Sequence, residues 1–485
     1  MCKKHSRFMS ALLLAALLLS AVGCGNDSGP TGNSGSEDSS ADNSETSAET
    51  AKSYEYADMG GREFRVLNAA DIYSMHANID RETTNGDMLN DAEYNRCRLL
   101  EEKMNIVFNE TNQGVDNEVA DTANRVLMAG EDAYDVIFMP ARNLYSFLEN
   151  GSLFNLLDFD ELQLDEPWWL SNYNDPSILN GSLYAAASYS QLMIIDSVWT
   201  VYYNESIGEN LGLDTPYSIV KDGNWTLDTM KTYLKAAANL NGDDSFSWND
   251  NGSCIYGIAL DHSQHILTCA GERIIESEDG KLVFTAGTNR FYDVVSKITQ
   301  VFTEDDGCAQ YKHIPCGDDD PGHYIYTFEH ERSLMMVAEV CKTNRMRDKN
   351  YSFGILPMPK YDEEQENYIG KPFYGTPCLT IPVTVKDPEN VAAIADALAY
   401  LSYETVWPVF RKVTLEQKNL RNEESIEMLD IIINSIVPDL TTIYGIGSDF
   451  EIKIKDLVTA GDDSVSSAVA SYKDKIQTEL DRING

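Results

Sequence analysis

The chain has 485 residues, 43% hydrophobic and 10% aromatic, with 78 acidic against 37 basic residues and a formal net charge of −41. That length and apolar content can build cores for two lobes of ordinary size. So acidic a body repels phosphate backbones and anionic headgroups, whose binding rests on Lys and Arg contacts, and this argues against nucleic-acid binding.

The chain opens with Lys3, Lys4 and Arg7, then an apolar run over residues 8–22 broken only by Ser10 and Ser20, then Gly23-Cys24. This is the pattern of a secretory signal over residues 1–23, and the run is too short to stay as a membrane span. A small residue directly before a cysteine behind such a run resembles the bacterial lipobox, which implies cleavage before Cys24 and lipid on its sulfur. Loss of residues 1–23 removes three basic residues and no acidic one, taking the net charge from −41 to −44. Residues 24–56 form the expected tether. From 25 to 53 there is no aromatic residue, and a Gly, Ser, Asn, Asp and Glu composition cannot bury enough apolar surface to fold. About 30 flexible residues reach roughly 30 Å, which lets a folded body stand off a membrane while staying near it.

The body begins with Glu63-Phe64-Arg65-Val66-Leu67-Asn68, an alternating strand, followed by the polar loop Ala70-Asp71-Ile72-Tyr73. Asn90 heads a predicted helix in which Ala92, Tyr94, Cys97, Leu99, Leu100 and Met104 recur at helical spacing. A strand from Ile106, a helix over 115–128 and a strand over 133–139 follow. Strand, helix, strand, helix, strand predicts a parallel sheet with helical crossovers. Ligands of such sheets bind beyond the strands' carboxyl ends, so residues 71–73 and 140–143 are expected to line a cleft.

Farther on, residues 180–187 read as a turn and a strand, and a lobe crossing is placed near 187–190. Thr226 is a predicted cap for a helix to about residue 239. Extended segments are expected at 351–356 and 379–383, and helices dominate from Pro388 onward. Nine cysteines become eight without Cys2 and seven once Cys24 carries lipid, an odd set unlike a disulfide scaffold.

Several pieces, in their order, resemble the extracellular solute-binding proteins of the family that includes maltose-binding protein. They are Tyr134-Asp135-Val136-Ile137-Phe138, residues 148–156, Asn180-Gly181-Ser182-Leu183-Tyr184-Ala185 leading to Tyr202-Tyr203-Asn204, Gly223-Asn224-Trp225-Thr226, and residues 353–359. The similarity runs from about Arg62 to the C-terminus. One stretch, residues 328–341, departs from the Gly-containing strand usual in that family. The resemblance implies a two-lobed, periplasmic-binding-protein-like α/β fold with a hinge and an inter-lobe ligand cleft. Lobe 1 is expected over 57–187 and 350–384, and lobe 2 over 188–349 and 385–485. It further implies a non-enzymatic carrier, anchored to the outer face of the cytoplasmic membrane of a Gram-positive bacterium, that delivers a solute to the permease subunits of an ABC importer.

For the ligand site, Arg142 offers fixed donors for hydroxyl pairs or a carboxylate, against the plainer role of a surface ion-pair partner. Asp71 is a possible hydroxyl acceptor. Tyr73, Trp168, Trp169, Tyr189, Trp199 and Tyr374 could stack on the apolar faces of sugar rings, with core packing as the alternative for each. Carbohydrate is therefore the expected solute, with amino-sugar, polyol and peptide ligands open. No cofactor or metal is expected. Cys308, His313, Cys316 and His323 lack the spacing of a zinc module, His262 and His265 lack the accompanying carboxylate pattern, and residues 239–244 lack a full calcium-loop spacing. A surface glycoside hydrolase, with carboxylates about 5 to 10 Å apart, and a ligand-sensing lipoprotein are the rival readings.

Overall fold

The computed structural model describes residues 54–114, 116–246, 252–260, 264–303, 309–310, 323–346, 348–415 and 423–484. Cys24, most of the tether, His262, Cys308, His313 and Cys316 lie outside the described residues, as does the His323 side chain. The end of the expected tether belongs to the folded body. Tyr54 stacks on Tyr400 and donates its hydroxyl to Asp396 at 2.8 Å.

The first sheet is four-stranded, in the order β11 (Pro377–Thr380), β3 (Val136–Pro140), β1 (Arg62–Ala69), β2 (Ile106–Gln113). β1 runs parallel to both neighbours and β11 antiparallel to β3. Phe64 and Val66 point to one face and Leu67 lies in the other core, so both faces are covered, as a sheet with helical crossovers requires. Between β1 and β2 the helix Met88–Met104 begins at Asp87, whose carboxylate accepts from the N–H groups of Leu89 and Asn90. The cap is thus three residues earlier than Asn90, because an acidic side chain in extended backbone answers the orphan donors of the first turn.

The second sheet is five-stranded, in the order β10 (Phe353–Leu356), β4 (Trp199–Asn204), β9 (Ser333–Glu339), β5 (Tyr256–Ala259), β8 (Ala309–Gln310), and β6 (Ile275–Glu278) and β7 (Lys281–Phe284) form a separate antiparallel pair. β4 and β9 are buried along their whole length, and their residues are accordingly mostly apolar on both faces. The departing stretch at 328–341 therefore supplies a central strand. Thr226 caps the helix Leu227–Ala237 as expected, accepting from Thr229 N–H at 3.3 Å. Gly354 is where a side chain has no room. A Cβ there would meet the Tyr217 hydroxyl at 1.8 Å.

Two of the expected lobe boundaries are corrected by strand pairing and packing. Phe353–Leu356, assigned with the first lobe, pairs with β4 in the second sheet. The helix Pro388–Leu401, assigned with the second, buries Val391, Ile394, Ala395 and Leu398 in the same core as Phe64 and Leu100. A short apolar strand pairs equally well with either sheet as far as its own residues are concerned, so only the long-range partner decides. The segments that link the two sheets run side by side: Trp199 N–H donates to Lys371 O at 3.0 Å, Phe373 N–H to Ser197 O at 3.1 Å, and the Ser197 and Thr376 hydroxyls bond at 3.0 Å. No helix among the described residues is long and apolar enough to cross a membrane.

Candidate functional site at the seam between the sheets

The carboxyl ends of β1, β3 and β9 and the amino end of β4 meet at one seam. From the first sheet comes the loop after β1, closed by Asp71, whose carboxylate accepts from Ala77 and Asn78 N–H groups at 2.8 Å each and pairs with Arg81 at 2.6 Å. Asp71 therefore shapes the loop, with both oxygens in use, and does not stand free for a ligand hydroxyl. Tyr73 and Ser74 have φ of 54° and 70°, a left-handed conformation rare for such residues in succession. Tyr73 leaves its ring 62% exposed and its carbonyl turned to the second lobe, where it accepts from Lys342 Nζ at 2.8 Å.

The floor of the seam is built by Asp196, which ends the short helix Met193–Asp196, and Glu339, the last residue of β9. Asp196 Oδ2 accepts from the backbone N–H of His76 and bonds its Nδ1, both at 2.8 Å. Burial raises the Asp196 carboxyl above the usual carboxylate range, and the His76 bond and charge only partly oppose it. Glu339 is raised for the same reason, with Lys342 as its main opposing charge at 3.9 Å. Directly across the ladder from Glu339 is Trp199, stacked on His265 with centroids 4.3 Å apart.

Toward one rim, the Arg142 guanidinium lies over the Tyr374 ring at 4.9 Å, and Arg142 N–H donates to Tyr374 O. Tyr374 is 41% exposed. Beside them a small cavity of about 20 Å³, room for one water-sized group, is lined by Ala141, Leu144, Tyr173, Tyr184, Cys378 and Tyr444. Tyr444 comes from Leu440–Tyr444, which packs against residues 141–149.

Of the expected site residues, the structure brings Tyr73, Arg142 and Tyr374 to the seam, buries Trp199 beneath it, takes Trp168 and Trp169 elsewhere, and leaves Tyr189 buried on its flank, linked to His76 through Trp407 and Phe410. Both tryptophans lie in the first-lobe core and donate their indole N–H groups to Asp396 Oδ1, at 3.0 and 2.7 Å. Tyr189 packs on Tyr403 and Trp407, with its hydroxyl pushed up to about 12 by burial. Asp196, Glu339, Lys342 and His76 are the seam groups that sequence reasoning missed. A signal existed for two of them: Asp196 is the lone charge in the apolar run 192–203, and Glu339 closes the apolar run 334–338.

With this geometry in hand, comparison with solved structures identifies the fold. The chain superposes on an ABC substrate-binding protein of Listeria monocytogenes in complex with cycloalternan, with a TM-score of 0.54 and 14% identity over 87% of this chain and 99% of that one. A cyclo/maltodextrin-binding protein complexed with maltotetraose gives 0.55 and 15%, over 86% and 97%. The GacH receptor of Streptomyces glaucescens, solved unliganded and with acarbose, gives 0.54 and 12%, over 87% and 99%. The fold is the two-lobed α/β fold of solute-binding proteins. No protein-family model and no curated protein sequence matches the chain.

Proposed function

We propose that this protein is the solute-capturing component of an ABC importer, held on the outer face of the cytoplasmic membrane of a Gram-positive cell by lipid on Cys24, and that it carries a sugar or oligosaccharide to the permease. The observation that carries the reading is the seam itself, where strand ends from two sheets that share one apolar core meet around aromatic rings and polar side chains. A ligand held there touches both lobes only when they are together, so binding shifts a hinge equilibrium toward the closed form. Tyr73 and Tyr374, both exposed, supply flat apolar surface for sugar rings, and Arg142 supplies donors for hydroxyls. The signal-like run ending in Gly23-Cys24 supports the lipid anchor.

The test is a thermal-shift screen of the mature chain against mono- and oligosaccharides, polyols, amino acids and short peptides. A ligand of the native state present at a hundred times its dissociation constant adds about 2.7 kcal/mol. A rise with saccharides, and their recovery unchanged, is the expected result. A rise confined to amino acids or peptides overturns the sugar assignment, and release of reducing ends from an oligosaccharide overturns the carrier reading.

A further inference from the structure

Buried carboxylates in this protein are generally saturated. Asp135 accepts from Arg62 Nη2 and from the backbone N–H, Nε and Nη2 of Arg65. Asp439 takes Lys371, the Thr441 N–H and the Thr442 hydroxyl. Two depart from this rule. Among the described residues, Asp196 Oδ1 and Glu339 Oε2 are the buried carboxylate oxygens with no hydrogen-bond partner. Lys342 Nζ is 3.9 Å from Glu339 Oε2, beyond hydrogen-bond reach.

Both orphan oxygens belong to the seam floor. Val340 N–H, next to Glu339, donates to Val198 O, two residues past Asp196, and the Tyr73 loop closes over both through His76 and Lys342. A desolvated carboxylate oxygen without a donor is costly, and the cost is avoided only when something else supplies the donor. In the hinge equilibrium proposed above the lobes part at this seam, and a ligand entering the open form would reach these oxygens before the Tyr73 loop settles over them.

We infer that the ligand supplies the missing donors from a protonated amine, so that within the sugar class proposed above, on which this rests, the preferred solute is an amino sugar. One ammonium offers three N–H donors and can serve two acceptors at once. It also brings positive charge to a pair of carboxylates whose close counter-charges are Lys342 and His76, whereas a neutral diol brings donors alone and an anion is repelled. The Lys342 ammonium at 3.9 Å already shows the floor accepting that kind of group. Trp199 opposes Glu339 on the same sheet face, buried and stacked on His265, and so walls the floor with apolar surface.

The experiment is calorimetric titration of the mature chain with glucosamine oligomers, their N-acetylated counterparts and glucose oligomers of equal length. The amine form binds at least tenfold more tightly than the other two, and Glu339→Gln or Asp196→Asn removes that preference while melting cooperatively. Equal binding of all three oligomers, or a preference that survives Glu339→Gln, overturns the amine assignment and leaves sugar capture standing. Binding of none of them while another saccharide raises the melting temperature has the same meaning. Failure of every saccharide removes the capture reading and this inference with it.

Discussion

Asp396 and Asp196 are both buried aspartates, the first inside the helix Pro388–Leu401 and the second at the end of the helix Met193–Asp196, and they differ in how their oxygens are served. Asp396, in the first-lobe core, accepts from the Tyr54 hydroxyl, the Gln163 N–H and side-chain amide, and the indoles of Trp168 and Trp169. Asp196, at the seam, accepts only from His76 and leaves Oδ1 bare. A carboxylate that exists to hold a core together is surrounded by donors of the protein's own. One that exists to meet a ligand is left short of them, and the protein bears a standing cost for it. Removing the first kind should therefore harm folding and spare binding, and removing the second should do the reverse.

The largest effect is expected at the saturated node. Asp396→Ala strips five donors of their acceptor in the first-lobe core and should cost about 3–5 kcal/mol, read as a lowered midpoint in urea unfolding. Ligand affinity of the remaining folded protein should be unchanged. A loss of affinity with little loss of stability would dissolve the distinction between the two aspartates.

Next is His76→Ala, which leaves Asp196 with less of its only partner and should cost about 2 kcal/mol. The pH dependence sharpens it. Burial works against charging His76, yet the hydrogen bond and charge of Asp196, with Glu93 and Asp71 beyond, outweigh it and raise the imidazolium above its ordinary value. Those two acids also hold Arg81. The folded state then holds this proton more tightly than the unfolded chain. Its contribution is complete below the unfolded histidine value of about 6.5 and is lost as pH rises through the folded one. Asp196, itself raised by burial, acts in the same direction. Unfolding free energy should fall between pH 6 and 8 in the native protein, and the slope should flatten in His76→Ala.

Glu339→Gln should change stability by less than about 1 kcal/mol, since it removes a buried charge that has no hydrogen bond to lose at Oε2. Urea unfolding checks this beside the titrations above. A cost as large as that of Asp396→Ala would make Glu339 a structural residue.

Much of the fold was legible because it rests on local periodicity. The alternation of β1, the apolar β3 and the Thr226 cap are all local features, and each stands where the sequence placed it. The lobe membership of Phe353–Leu356 and Pro388–Leu401 was not legible, because it depends on partners far away in the chain. The site divided in the same way. Arg142 and Tyr73 follow strand ends, and strand ends can be read. Trp168-Trp169 looked like a ligand platform because an aromatic pair has the same composition in a core as in a cleft. Only the position of Asp396, more than two hundred residues later, turns their indoles inward. The bare oxygens of Asp196 and Glu339 had no sequence signature beyond a charge in an apolar run.

The smallest effect is expected where the two lobes touch at the rim. Arg482, on the C-terminal helix Val465–Asn484, pairs with Glu149 of Leu144–Glu149 at 2.8 Å and lies over Tyr145, with both charged side chains about half exposed. An exposed pair of this kind is worth less than about 1 kcal/mol, because solvent screens it and two long side chains must be ordered to form it. In a hinge equilibrium that amount still matters, since it enters the balance of closed and open forms directly and 1 kcal/mol is about fivefold in population. Glu149→Ala should therefore leave urea unfolding nearly unchanged while raising the radius of gyration of the ligand-free protein in solution scattering. Saturating ligand should restore the compact value, because contacts at the seam outweigh one rim pair. A variant that scatters like the native protein without ligand would show that the seam floor, through His76 and Lys342, holds the lobes together without help from the rim.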